Sequence, residues 1–163
     1  MGVRDVASAK VGSASQFVRV ADLSTGRMAL SGIALDSRLD AETAESSNVM
    51  GGPALRVFRP GEPIYCGLVV YNAASAKGAQ GPQAEVRVRV LRDGKVVWRG
   101  EPYPISTVSQ ADPKRVPFVQ KLSFGPHTPP GAYVIQVLAT DKAAPAKRST
   151  VAQWTDFELV PAK

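Results

Sequence analysis

The chain has 163 residues, 44% of them hydrophobic and 21% charged, a composition that suits one globular domain with or without an appendage. Its formal net charge of +6 is compatible with an acidic partner but is specific to none. The single cysteine excludes an internal disulfide, and no run approaches the roughly 20 apolar residues that a membrane-spanning helix needs.

Strand patterns dominate the chain, and no segment has the 3.6-residue period of an amphipathic helix. The 14 glycines and 13 prolines are scattered, as in chains built from short elements and turns. Apolar runs predict strands over residues 16–20, 27–35, 54–58, 63–73, 84–92, 95–100, 103–108, 116–124, 131–140 and 151–160. This spacing predicts an all-β fold, an antiparallel immunoglobulin-like or fibronectin III-like sandwich of about 7–9 strands.

One hairpin carries the sharpest local signal. Asp93-Gly94 separates two apolar-alternating runs, and a two-residue type I′ turn requires positive φ at both positions. Before the turn, the valines of residues 84–92 alternate with Glu85, Arg87 and Arg89. We therefore expect one face of this strand to be buried and the other to be wet.

The polar, acidic stretch over residues 36–52 reads as a flexible linker and a domain boundary. It separates residues 1–35, a strand pair or a segment of a preceding domain, from a sandwich over residues 53–161. The strands before the linker could join that sandwich or a domain that is missing from this chain, and the sequence leaves both alternatives open.

The segment "PPGAYVIQVLATD" places Tyr133 just after a Pro-Pro-Gly turn, at the start of an apolar strand. Immunoglobulin-like sandwiches carry a tyrosine at such a position, where its hydroxyl bonds a nearby backbone group and forms a tyrosine corner. We therefore assign Tyr133 a structural role, with Ile135, Val137 and Ala139 facing the core.

Five segments together resemble the C-terminal region of bacterial von Willebrand factor A-related domain proteins. They are "SASQFVRVADLSTGRMALSGIAL", "RVFRPGEPIYCGLVVYNA", "VLRDGKVVW", "PPGAYVIQVLATDK" and "AQWTDFELV", in an order that extends from about residue 10 to 160. The resemblance implies a non-catalytic β-sandwich module of an exported protein. It implies no metal site, because the chain lacks the Asp-x-Ser-x-Ser loop of the A-type domain.

Export is accordingly an expectation that comes from the resemblance. The first 18 residues lack the continuous apolar stretch of a signal peptide. We therefore expect this chain to reach the periplasm, the cell envelope or the medium as part of a longer precursor.

Catalytic residues are not predicted. The one histidine, His127, lies in a turn-rich segment without a Gly-x-Ser-x-Gly nucleophile elbow, although Asp141 or Asp156 could complete a Ser-His-Asp set. Cys66 could pair with His127 as a thiol dyad, but in "IYCGLVV" a small buried apolar role is the ordinary one.

Metal ligands and cofactor sites are not predicted either. One cysteine and one histidine are too few for zinc. The one acidic cluster lacks the spacing of a calcium loop and suits a solvated linker better, although Asp141 and Asp156 could also meet at one end of the sandwich. The cluster consists of Asp36, Asp40, Glu42 and Glu45.

Basic residues concentrate on the predicted hairpin, together with one tryptophan near the C-terminus. The candidate interaction surface comprises Arg87, Arg89, Lys95, Arg99 and Trp154. Nucleic acid is not favoured, because Trp98 is the one aromatic residue beside the basic stretch and stacking platforms need more. We expect a protein partner; the alternative is a glycan-binding row that would require Trp98, Tyr103 and Trp154 to be exposed on one plane.

The function predicted from the sequence is that of a non-enzymatic structural or protein-interaction module within a larger exported bacterial protein. A carbohydrate-binding sandwich is the alternative. The identity of the partner and the oligomeric state stay open.

Overall fold

The computed structural model describes residues 2–4, 6–8, 11–13, 22–37, 56–73, 81–106 and 112–161. Within these residues the chain is almost entirely strands and loops, with two single turns of 3-10 helix and no α-helix. The strands are β1 (Gly2–Arg4), β2 (Val11–Ser13), β3 (Ala29–Leu30), β4 (Ala34–Asp36), β5 (Val57–Phe58), β6 (Pro63–Tyr71), β7 (Ala84–Arg92), β8 (Lys95–Arg99), β9 (Tyr103–Pro104), β10 (Arg115–Ser123), β11 (Gly131–Asp141) and β12 (Thr150–Leu159). The helical turns are Leu23–Thr25 and Ala146–Arg148.

The first sheet is centred on β6. The antiparallel partner of β6 on one side is β10, and on the other side β3 and β4 follow one another along it. The single strand predicted over residues 27–35 is therefore two short strands. At the break, Ser31 replaces a ladder bond with its side chain, since the Val69 N–H donates to Ser31 Oγ at 2.9 Å.

The second sheet has the order β5–β12–β11–β7–β8, with β9 also paired to β7. All its pairs are antiparallel except β5 with β12, which is parallel. A separate antiparallel pair joins β1 to β2. The all-β class and the antiparallel pairing predicted from the sequence are thus confirmed over the described residues.

The predicted hairpin connects β7 to β8. Asp93 and Gly94 have φ values of 50° and 74°, the left-handed conformations that a type I′ turn demands. The register shifts between Val90 and Leu91, because Val97 has no partner between the pairs Val90–Trp98 and Leu91–Val96. This bulge re-aims the edge strand just before Trp98.

Both large sheets contribute to one hydrophobic core. The alternation predicted for β7 is present, with Val86, Val88 and Val90 at most 2% exposed. Strand β6 is buried over most of its length, as its uninterrupted apolar sequence indicates. The largest fully buried side chains are Leu35, Ile64, Leu68, Ile135 and Leu159, and they come from β4, β6, β11 and β12.

The N-terminal strands and the proposed linker are only partly covered by the structure. Since β3 and β4 bond to β6, residues 29–36 share a sheet with residues 63–71. The strand predicted over 16–20 and most of the linker, residues 38–52, lie outside the described residues. Of the predicted strand over 54–58, the described residues 56–58 contain a strand at Val57–Phe58. Of the one over 103–108, the described residues 103–106 contain a strand at Tyr103–Pro104.

Candidate interaction surface

The side of the second sheet that points away from the core is called the outer face here. It consists of alternate residues of β7, β11 and β12, together with Arg99 of β8, because side chains along a strand point to opposite sides in turn. In β11 the core-facing side chains are buried while their neighbours Val134, Gln136 and Leu138 are only half-buried. In β12 the same alternation leaves Phe157 3% exposed and Trp154 64% exposed, so the two residues lie on opposite faces.

A continuous row crosses four strands of the outer face. Gln136 of β11 lies opposite Trp154 of β12 on one side and opposite Arg89 of β7 on the other. Arg89 in turn lies opposite Arg99 of β8. With a strand spacing of about 4.8 Å, this outer-face row spans about 14 Å from Trp154 to Arg99.

The arginines of the outer face carry uncompensated charge. Among the described residues, the side chains of Arg87, Arg89 and Arg99 make no ion pair and no hydrogen bond, and Arg89 Nε is covered without an acceptor. Two acids of the outer face are already engaged. Glu85 Oε2 lies 2.7 Å from Lys142 Nζ, and Asp156 Oδ1 lies 2.9 Å from Arg56 Nη1.

The register also sets two like charges directly against each other. Arg89 and Arg99 are cross-strand partners, and such like-charged pairs destabilise a sheet. Arg87 lies in the adjacent row, opposite Leu138, which is opposite Ala152. A local violation of pairing rules without compensation within the fold is a feature of functional surfaces.

Lys95, the remaining residue of the candidate surface, lies on the other side of the sheet. It is opposite Arg92, whose guanidinium turns toward the core side and reaches Tyr133. The bulge at Val97 causes this separation, since it shifts the alternation of β8 by one residue between Lys95 and Arg99. The structure thus brings four of the five candidate residues to one face.

Tyr133 is 3% exposed at the start of β11. Its hydroxyl donates to the carbonyl of Pro129 at 2.6 Å and accepts from Arg92 Nη1 at 3.1 Å. Arg92 also lies 5.3 Å from the centre of the Tyr133 ring. The bond to a carbonyl four residues upstream is the contact that a tyrosine corner makes.

A cleft of about 440 Å³ opens between β8 and β10, on the core side of the second sheet. Trp98 and Val97 stand at this cleft and are 42% and 56% exposed. Its lining is mainly apolar and includes Val90, Leu122, Phe124 and Tyr133.

The three aromatic side chains of a glycan-binding row are all exposed but do not share a face. Trp98 is opposite Val90 and Tyr103 is opposite Val86, both core-facing positions of β7. Trp154 belongs to the outer-face row. The coplanar arrangement that a three-ring platform requires is therefore not formed.

The residues considered for catalysis lie in unlike environments. His127 is exposed in a turn between β10 and β11. Cys66 is fully buried in β6, and burial raises the pKa of its thiol to about 12. A thiol whose pKa lies this far above neutral pH stays protonated and is not a nucleophile.

The acidic residues considered for metal binding are not brought together. In the part of the chain that the structure describes, no group of three or more His, Cys, Asp or Glu side chains is placed to hold a metal ion. Asp141 Oδ1 accepts from the Ala143 N–H, and Asp156 lies opposite Val134, about 24 Å away along β11. Asp36 is half-buried in β4, while Asp40, Glu42 and Glu45 lie outside the described residues.

Sequence reasoning did not find Gln136 or the direct opposition of Arg89 and Arg99. Gln136 is an ordinary polar position within an apolar strand, and only its register against β7 and β12 places it between an arginine and a tryptophan. Comparison with known proteins gives no match to any protein-family model or to any curated protein. None of the helical segments among the described residues is long and apolar enough to cross a membrane.

Proposed function

We propose that this chain is a non-enzymatic protein-interaction module of a larger exported bacterial protein, and that the outer face of its second sheet is the contact surface. The observation that carries the proposal is the opposition of Arg89 and Arg99, without counter-ions, in one row with the exposed Trp154. Such an arrangement costs stability in the isolated chain, and an acidic partner would offset that cost.

The residue types support a protein interface. Tryptophan and arginine are the side chains that most often dominate binding energy at protein interfaces, and both occur in the outer-face row. Half-buried Val134 and Leu138 flank Gln136 along β11 and add apolar area around the charged groups. This mixture of apolar and cationic area is suited to a protein surface that carries acids.

We further propose that the fold is of the immunoglobulin-like or fibronectin III-like sandwich type. Two features support this assignment. The pairing β3/β4–β6–β10 corresponds to strands A–B–E of such domains, and β12–β11–β7–β8 corresponds to G–F–C–C′. Tyr133 begins the strand that corresponds to F, where the tyrosine corner of these domains occurs.

The relation to von Willebrand factor A-related proteins and the export of the parent protein are part of the same proposal, supported by the five segments quoted above. A test is to raise an antibody against the domain, fractionate the source cells and size the native band. A band well above 17.3 kDa in the envelope or the medium supports the proposal. A band of 17.3 kDa in the cytoplasm would contradict it.

The contact surface has its own test. A photo-crosslinking amino acid replaces Trp154 in the full chain, and a matched variant carries it at Lys121, an exposed position on β10 of the other sheet. We expect a discrete adduct in the source cells from position 154 alone. Equal adducts from both positions, or none from position 154, would contradict an interface on the outer face.

The carbohydrate-binding alternative would use a different part of the molecule. Trp98 and Tyr103 are 42% and 60% exposed on the core side of β8 and β9, and Trp98 borders the cleft. Two rings can stack on a sugar, although Tyr103 is already engaged, with its ring centre 6.0 Å from that of Phe118. Loss of oligosaccharide binding on Trp98→Ala, but not on Trp154→Ala, would favour this function.

A further inference from the structure

We propose that the outer-face row binds an extended acidic segment of a partner polypeptide, with one carboxylate held between Arg89 and Arg99 and an apolar side chain resting on Trp154. This inference rests on the proposed protein-interaction function and specifies the chemistry of the partner.

The arginine pair defines the carboxylate position. Directly opposite residues of an antiparallel pair have Cβ atoms about 5 Å apart, so the Arg89 and Arg99 guanidinium groups can flank a single carboxylate. Arginine bonds a carboxylate through two parallel N–H donors, and these bonds are short and charge-assisted. An acidic side chain bound there would remove the repulsion between the two arginines, which nothing in the described residues neutralises.

The length of the row sets the spacing of the ligand. The midpoint of the Arg89–Arg99 pair lies about 12 Å from Trp154, and an extended chain advances about 3.4 Å per residue, so this distance corresponds to about three to four residues. Residues four apart in an extended segment point to the same side. The partner is therefore expected to present an acidic residue and an apolar or aromatic residue four positions apart, with Gln136 beneath the segment between them.

The acids at the tryptophan end set the direction. Asp156 and Glu158 follow Trp154 on the same face of β12 and are exposed. Because Arg56 pairs with Asp156, Glu158 is the acid that disfavours a carboxylate at that end. At the other end, Arg87 lies beside Arg89 on β7 and adds positive charge. The acid of the ligand thus goes to Arg89 and Arg99, and its apolar residue goes to Trp154.

The same features disfavour other polyanions. Single-stranded nucleic acid needs a series of stacking rings along a cationic groove, and the described outer face offers Trp154 alone. A glycan that stacks on several rings is not accommodated on the outer face either, because Trp98 and Tyr103 lie on the opposite face.

The test measures fluorescence anisotropy of a labelled ten-residue peptide that contains Glu and Trp four positions apart, titrated with the full chain. The reference peptide carries Gln in place of Glu. We expect binding of the Glu peptide that weakens with salt, and a loss of about tenfold or more in affinity for the double variant Arg89→Gln/Arg99→Gln. Lys95→Gln is the matched control, because it removes one positive charge from the same hairpin on the other face.

A second readout locates the peptide. In a Trp98→Phe background, Trp154 is the one remaining tryptophan, so a change in intrinsic fluorescence on adding a Glu-x-x-x-Leu peptide reports contact at the far end of the row. Thermal melts of all variants establish that they fold. The double arginine variant is expected to melt no lower than the parent, since it removes a repulsive pair.

The outcomes separate this inference from the function on which it rests. Equal weakening by Lys95→Gln would show unspecific charge attraction and would overturn the inference. Binding of polygalacturonate, but not of the peptide, with the same dependence on Arg89 and Arg99 would overturn the peptide and identify the ligand as an acidic glycan. A positive crosslink at position 154 without any peptide binding would leave the interaction surface intact and refute the acidic segment. Failure of both experiments would refute the proposed function itself.

Discussion

Gln153 of β12 bonds across the gap between the two large sheets to the loop at Ser31. Its Nε2 donates to the Ser31 carbonyl at 3.3 Å, while its Oε1 accepts from the N–H of Trp154 at 3.3 Å. Ser31 is itself joined to β6 through both its N–H and its hydroxyl, each bonded to Val69. One side chain therefore links the first sheet to β12, the strand that carries Trp154.

Substitution of Gln153 by Ala is expected to lower the free energy of unfolding by about 0.5–1.5 kcal/mol, because both bonds of a half-buried side chain are lost. The matched control is Gln120→Ala, since Gln120 donates only to the carbonyl of its neighbour Lys121 within β10. Urea unfolding compares the two variants. Equal effects would contradict a specific inter-sheet role for Gln153.

Tyr133→Phe removes a hydroxyl that donates to Pro129 and accepts from Arg92 while keeping the buried ring. We expect a loss of about 0.5–1.5 kcal/mol in unfolding free energy, since two part-buried hydrogen bonds are lost. Tyr103→Phe serves as the control. Tyr103 is 60% exposed, and the substitution keeps the ring that contacts Phe118. Chemical denaturation of both variants decides the matter, and a Tyr133→Phe protein as stable as the parent would refute the corner.

Gly94→Ala tests the hairpin turn. Gly94 has φ of 74°, and nothing lies within 4 Å of a Cβ added there, so the substitution introduces backbone strain without a clash. We expect destabilisation of about 1 kcal/mol, because a residue with a β-carbon is disfavoured in the left-handed conformation. Gly94→Asn should cost less, because asparagine tolerates this conformation. Thermal melts that rank Asn below Ala would contradict the type I′ turn.

From the burial of Cys66 we expect low reactivity of its thiol and a pH-dependent free energy of unfolding. Its buried thiol should resist thiol reagents in the native state and react in denaturant, since burial raises its pKa to about 12 from the ordinary 9.0. Between these two values the unfolded chain loses the thiol proton and the folded chain keeps it. The contribution of Cys66 to stability is therefore full below pH 9 and falls above it by up to about 1.4 kcal/mol per pH unit.

The measurement is denaturant unfolding at several pH values on either side of pH 9, with Cys66→Ala as the comparison. The alanine variant should be less stable at neutral pH, because it leaves a small cavity, but should lose the thiol-dependent slope. Parallel pH profiles for the two proteins, or rapid modification of native Cys66, would show that the thiol is accessible.

Arg99→Gln is expected to raise the unfolding free energy by about 0.2–1 kcal/mol at low salt, since it removes the charge opposite Arg89. The gain should shrink as salt screens the exposed pair. Arg87→Gln on β7 controls for the change in net charge, because its cross-strand partner on β11 is the uncharged Leu138. A loss of stability in Arg99→Gln would mean that the two arginines do not repel one another in the folded chain.

Local patterns decided a large part of this fold. The period-2 alternation over residues 84–92 identified which valines are buried, because one face of a strand must meet the core. The Asp93-Gly94 pair identified a turn, since few other dipeptides accept its conformation. Lengths were less predictable: the run over residues 27–35 looks like one strand, yet Ser31 interrupts it by bonding the neighbouring backbone with its hydroxyl.

The contact surface required the tertiary structure. Arg87, Arg89, Arg99 and Trp154 are recognisable as wet-face residues from the sequence, which also places Lys95 among them. Only the bulge at Val97 turns Lys95 to the other face, and only the pairing of β7 with β11 and of β11 with β12 puts Gln136 between Arg89 and Trp154. Strand alternation is a local property that the amino-acid sequence determines by itself, whereas register between strands is a long-range property, set by how the two sheets share their core.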